Sequence, residues 1–106
     1  MKQIQLITKP FKLNEVKDAL EKENVQRMTF IDVKRRGTQH GMVNQYRGTP
    51  YIEDIPEVKI EVIAEDDEAE QIASTIVTTL RTGALCDGEI TILPMEKIVR
   101  VRVGKL

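Results

Sequence analysis

Polar and apolar residues alternate over Lys2–Thr8. Ile4 and Leu6 fall on one side, Gln3 and Gln5 on the other, and Ile7 and the β-branched Thr8 extend the run. This predicts a first strand, ended by Lys9-Pro10. From Lys12 to Glu23 the apolar spacing changes to threes and fours. Leu13, Val16, Ala19 and Leu20 form the stripe of an amphipathic helix. Gln26–Arg36 reads as a second strand, with Met28, Phe30, Ile31 and Val33 as its apolar content. Periodicity then stops across Gly37–Pro56, where Gly37, Gly41, Gly48, Pro50 and Pro56 are spaced by polar residues. A loop of that length inside a compact domain is uncommon and usually functional; here it is expected to be mobile. Alternation returns at Glu57–Ala64, with Val58, Ile60 and Val62 on one face and Lys59, Glu61 and Ile63 on the other. A second helix is expected over Asp67–Leu80, with Ile72, Ile76, Val77 and Leu80 as its stripe. Its acidic start, Glu65 to Glu68, suits the positive end of the helix dipole. Short strands are expected at Glu89–Leu93 and Ile98–Val103.

The order β-α-β, long loop, β-α-β defines an α+β domain. Its natural closure is a ferredoxin-like βαββαβ sandwich, with an antiparallel sheet on one side and two helices on the other. With 106 residues it forms one domain, 1–106. Aromatics are only 4%, so the core must be aliphatic.

A net charge of −1 offers no basic face for nucleic acid. No apolar run is long enough to insert in a bilayer, and Met1–Leu6 lacks the apolar core of a signal peptide. The single cysteine, Cys86, excludes an internal disulfide. A cytoplasmic location is expected. No cluster of catalytic residues stands out, so an enzyme is the last of three readings. A ligand-sensing regulator and a ligand-insensitive interaction protein are the others.

Local chemistry narrows this. Arg100 and Arg102 lie two apart on an expected strand and so share a face, an arrangement suited to a polyphosphate. A solvated strand face is the plainer alternative. Thr82-Gly83 and Asp87-Gly88 bracket a loop whose backbone N–H groups could approach phosphate. A simple helix C-cap turn is its alternative. His40, the lone histidine, reads as a solvated loop residue, and Cys86 has no sequence-near base.

Motifs along the whole chain resemble the P-II signal-transduction (nitrogen regulatory protein P-II) family. They are Ile7-Thr8-Lys9-Pro10-Phe11-Lys12-Leu13, Met28-Thr29, Gly37-Thr38-Gln39, Tyr46-Arg47-Gly48-Thr49-Pro50-Tyr51, Val58-Lys59-Ile60-Glu61, Arg81-Thr82-Gly83, Asp87-Gly88, Leu93-Pro94 and Ile98 to Gly104. The resemblance implies a homotrimer with ATP or ADP in clefts between subunits, joined by magnesium and 2-oxoglutarate. It implies that the long loop then grips or releases a target, a membrane transporter or a metabolic enzyme. It assigns the base-binding wall to Ile7, Met28, Thr29, Glu61 and Ile63. It assigns Arg100 and Arg102 to phosphate and ribose, places Thr82, Gly83, Asp87 and Gly88 in the nucleotide-binding loop, and makes Gly37 and Thr38 further cofactor-binding positions. Gln39 becomes the contact to both magnesium and 2-oxoglutarate. Tyr51 sits where some members are uridylylated, with an unmodified loop tyrosine as the alternative.

Several positions depart from the family pattern. The family usually has Lys where Glu57, Ala84 and Glu89 stand, Gly where Arg27, Arg35 and Cys86 stand, and Arg where Thr38 stands. A carboxylate at 89 repels phosphate, and one at 57 repels 2-oxoglutarate. These departures predict weakened or altered nucleotide binding and a ligand that can differ from the family's usual pair. Arg35 and Arg36, at the end of one strand, are candidates for compensating charge.

Overall fold

The computed structural model describes residues 1–36, 54–81 and 88–101 in full, and the backbone alone of 43–46 and 49–52. Strand β1 spans Lys2–Thr8. A single 3-10 turn, Pro10–Lys12, leads into helix α1, Leu13–Lys22. Then come β2 (Met28–Arg35), β3 (Val43–Tyr46), β4 (Thr49–Ile52), β5 (Ile55–Ala64), α2 (Asp66–Leu80) and β6 (Gly88–Pro94). The main sheet runs β2-β5-β1-β6 with all neighbours antiparallel. That is the ferredoxin-like arrangement expected from the element order.

Alternation in the strands sets the two faces of the sheet. Ile4, Leu6 and Thr8 of β1, with Val58, Ile60, Val62 and Ala64 of β5, are buried under the helices. Val16 and Leu20 of α1 and Ala69, Ile72, Ile76 and Leu80 of α2 complete that cluster. Full burial of each large aliphatic side chain is worth about 1.5–3 kcal/mol. Val77 is half-exposed and outside the core, a correction to the expected α2 stripe. The two helices are also joined by a polar contact: Thr75 Oγ1 donates to Glu23 Oε1 at 2.6 Å.

Helix α1 ends in a Schellman turn. Val25 N donates to Leu20 O at 3.0 Å and Asn24 N to Glu21 O at 3.0 Å. Asn24 takes the left-handed conformation that this turn needs, with φ 62°. Val25 then packs against the core cluster.

Two expectations are corrected. The segment 37–56 is not a plain loop. Strands β3 and β4 pair as an antiparallel hairpin, Val43↔Ile52 to Tyr46↔Thr49, in a sheet of their own. The loop also ends sooner than expected, because β5 begins at Ile55. Pro56 is tolerated in β5 because only β2 pairs there: β1 reaches no further than Thr8↔Val58. The second correction is the last strand, expected at Ile98–Val103. After Met95 N donates to Met1 O at 3.2 Å, residues 96–101 join no strand. They follow edge strand β6 without pairing to it, and Val99 and Val101 are 73% and 93% exposed, so the alternation buries no face.

Candidate functional site

The face of the sheet away from the helices carries Gln3, Gln5 and Ile7 from β1, Thr29, Ile31, Val33 and Arg35 from β2, Glu57, Lys59, Glu61 and Ile63 from β5, and Glu89, Thr91 and Leu93 from β6. At one end of this face lies an open cleft of about 1000 Å³. Its floor is built by pairing: Thr29 stands opposite Glu61, and Gln3 opposite Ile63. Gln3 Nε2 donates to Glu61 Oε2 at 2.6 Å, which fixes the carboxylate across the strands. The α1–β2 connection supplies a wall with Arg27, and the segment after β6 supplies Ile98, Arg100 and Val101.

The cleft therefore brings together four of the expected site residues: Thr29, Glu61, Ile63 and Arg100. The expected shared face of Arg100 and Arg102 loses its basis, because Arg100 is in no strand. Ile7 is on the same open face but further along it and does not line the cleft. Met28 points to the opposite face and packs against the core, so its side chain is no part of this wall. Gly88 starts β6 opposite Thr8. It lies five register positions from Ile63, or roughly 17 Å along the strands at ~3.4 Å per residue. One chain thus separates Gly88 from the cleft residue Ile63, while Ile7 stands opposite Glu89, next to Gly88. Gly37, Thr38, Gln39, Thr82, Gly83, Asp87 and Arg102 lie outside the described residues, as do His40, Ala84 and Cys86. So does the side chain of Tyr51, whose backbone is in β4.

The other end of the same face holds a second constellation. Arg35 Nε approaches Glu57 Oε1 at 2.8 Å, and Arg35 Nη2 approaches Glu89 Oε2 at 2.7 Å. One guanidinium thus bridges β2, β5 and β6. The two carboxylates differ in setting: the Glu57 side chain is 4% exposed and that of Glu89 is 65%. The Nη2–Glu89 contact is a hydrogen bond. The Nε–Glu57 contact is an ion pair that satisfies no aligned hydrogen bond at Oε1. Lys9, just past β1, has a buried Nζ with no hydrogen-bond partner. Three positions that depart from the family pattern, 35, 57 and 89, are therefore one ion-paired cluster. On the outer side, Arg36 pairs with Asp54 at 2.7 Å.

Sequence reasoning missed Gln3 and Lys9. Gln3 was visible only as a polar position in an alternating strand. Its partnership with Glu61, 58 residues away, depends on the β1–β5 register.

An antiparallel ferredoxin-like sheet with two helices on one side, and a cleft at one end lined by strand residues and by Glu68 and Ile72 of α2, defines the class: a small α+β domain of ferredoxin-like topology. A model of the nitrogen regulatory protein P-II family matches residues 1–105. The chain is 45% identical over 107 residues to nitrogen regulatory protein P-II of Pyropia yezoensis, covering 100% of this chain and 96% of that one. It is 45% identical over 106 residues to that of Cereibacter sphaeroides, covering 99% and 95%. With nitrogen regulatory protein P-II 1 of Escherichia coli strain K12 the figures are 40% over 106 residues, 99% and 95%. The chain belongs to the P-II family, whose members are regulatory signal-transduction proteins. Among the described residues, no helix is long and apolar enough to cross a membrane.

Proposed function

We propose that this chain is a cytoplasmic, homotrimeric regulator that senses an adenine nucleotide, ATP or ADP, in clefts between subunits. The segment from Gly37 to Asp54 then controls a target protein, a membrane transporter or a metabolic enzyme. The observation that carries the reading is the cleft that joins Thr29, Glu61, Ile63 and Arg100. Ile63, 48% exposed, offers an apolar surface for a base. Glu61 can accept hydrogen bonds from an amine or from ribose hydroxyls. The residues present fit the base end of a nucleotide. Glu23, Glu61, Glu65 and Glu68 outnumber Arg27 and Arg100 around this cleft, so a polyphosphate belongs elsewhere. The separation within one chain of the cleft residues Thr29, Glu61 and Ile63 from Ile7 and Gly88 favours a site completed by a second subunit.

The residues present do not fit 2-oxoglutarate at position 57. A buried carboxylate already occupies that place and is already paired to Arg35, so a second anion there meets repulsion. Magnesium, with Gln39 as its contact, depends on a bound nucleotide and carries no independent support. The same cluster favours a second reading, a trimer whose interactions are independent of 2-oxoglutarate.

Isothermal titration with ATP, ADP, AMP and cyclic AMP tests the first reading, with light scattering for the oligomer. Saturable binding of an adenine nucleotide at one site per subunit in a trimer is expected. Thr29→Trp, which fills the cleft floor, should abolish it. No binding of any of the four, or a monomer, would refute the reading.

A further inference from the structure

The carboxylate of Glu61 leans towards one neighbour and away from another. The strand register puts Gln5 directly opposite Glu61, while Gln3 is the diagonal neighbour, opposite Ile63. Directly opposed Cβ atoms are nearer than diagonal ones, though long side chains reach both. Here the hydrogen bond takes the diagonal: Gln3 Nε2 donates to Glu61 Oε2 at 2.6 Å. Gln3 lines the cleft and Gln5 does not, so the diagonal bond turns the carboxylate into the cleft. Gln5 serves in another way. Its Nε2 donates to Gln3 Oε1 at 3.4 Å. With its oxygen accepting from Gln5, Gln3 presents its amide N–H groups to Glu61. Among the described residues, Oε1 of Glu61 has no hydrogen-bond partner. The half-buried carboxylate thus enters the cleft with one oxygen held and one open. An ionised carboxylate only accepts, so the open oxygen reads a donor on the ligand.

We propose that Gln3 is a positioning residue: it aims Oε1 of Glu61 into the cleft and so sets a preference for a nucleotide that carries an N–H or O–H donor at that point. The inference rests on the nucleotide reading and deepens it. A neutral amide suits the task, because it holds the carboxylate without cancelling its charge. Without Gln3 the carboxylate falls back to its direct partner, Gln5, and the donor of the ligand loses its acceptor. Two parts of an adenine nucleotide supply such a donor, the exocyclic amine of the base and the ribose hydroxyls.

Titration calorimetry on the full chain with ATP, purine riboside triphosphate and dideoxy-ATP provides the test. The second ligand lacks the amine, and the third lacks both ribose hydroxyls. The wild type should bind one of these analogues about tenfold or more weakly than ATP, since a hydrogen bond to a charged group is then lost. A weakened purine riboside triphosphate identifies the amine, and a weakened dideoxy-ATP identifies the hydroxyls. Gln3→Leu removes the positioning donor. It should weaken ATP by about tenfold and leave the already weakened analogue unchanged, so the preference collapses. Gln3→Glu, equal in length and unable to donate when ionised, should do the same. A merely structural role would lower the affinity for all three ligands together. That equal loss, a preference that survives in both variants, or equal binding of the three ligands by the wild type overturns the proposal and leaves the nucleotide reading standing. Absence of binding by all three in the wild type sinks that reading and this inference with it.

Discussion

Arg36 Nε lies 2.7 Å from Asp54 Oδ1, with Nη2 3.4 Å from Oδ2, so the residue after β2 and the residue before β5 are clasped across the root of the intervening segment. Adjacent arginines leave β2 on opposite sides, and each finds a carboxylate from the returning arm: Arg35 takes Glu57 and Arg36 takes Asp54. The root of the hairpin-bearing segment is thus held from both faces of the sheet. The inner clasp is dry and the outer one is wet, so they respond differently to pH and salt.

The outer clasp has a measurable titration. The hydrogen bond from Arg36 holds the Asp54 carboxyl below the ordinary value of 3.8, and the charge of the guanidinium adds to this. A carboxyl depressed on folding stabilises the folded chain above its unfolded pKa, and that contribution is lost as pH falls through the lower folded value. Carbon-detected NMR titration should place the Asp54 midpoint below that of an unpaired aspartate. Arg36→Gln should return it to the ordinary range, and high salt should move it the same way. An Asp54 midpoint unaffected by Arg36→Gln would show that the clasp does not persist in solution.

The turn after α1 supports a second prediction. Asn24 is left-handed, and residues with a Cβ pay about 1–2 kcal/mol for that conformation, asparagine less than most. Asn24→Gly should therefore leave stability unchanged or raise it by a few tenths, whereas Asn24→Val should lose about 1–2 kcal/mol. Thermal melts at fixed protein concentration would read this, since association would otherwise shift the midpoint. Equal melting of the two variants would contradict the assigned backbone geometry. Arg27 follows three residues on, so the same turn positions one wall of the cleft.

The sequence patterns that proved reliable were those set by a single local period. Alternation in β1 and β5 identified the buried set Ile4, Leu6, Val58, Ile60 and Val62, because a half-buried strand must alternate. Glu61 was placed correctly on the open face for the same reason. Ile98–Val103 alternates just as well yet forms no strand up to Val101, because a ladder needs a partner that alternation cannot supply. The β3–β4 hairpin was hidden for the opposite reason: Gly48 and Pro50 break the period while the strands still pair. The Arg35 cluster was the hardest to foresee. Its members, 35, 57 and 89, are separate departures in the sequence, and only the β2-β5-β1-β6 order brings them within reach of one guanidinium. What looked like two repulsive carboxylates is a paired cluster with its own cation.

Gly88 illustrates how a ligand motif and a packing constraint can share one residue. The family resemblance makes it a phosphate-loop glycine. The structure gives it a further reason, since a Cβ there would lie 3.1 Å from the Ile7 carbonyl oxygen, 3.3 Å from Leu80 Cδ1 and 3.4 Å from Leu6 Cδ1. Leu6 and Leu80 belong to the core, and the carbonyl belongs to a paired strand, so none can retreat freely. Gly88→Ala should cost about 1–3 kcal/mol through overpacking, with or without ligand. Denaturant unfolding of the ligand-free protein would show it as a lower midpoint at unchanged slope. If Gly88→Ala instead melts like wild type and only ligand binding suffers, the glycine serves the ligand and not the core. If stability falls while the affinity of the folded fraction is unchanged, β6 needs the glycine for its close approach to β1, and the phosphate role passes to other residues.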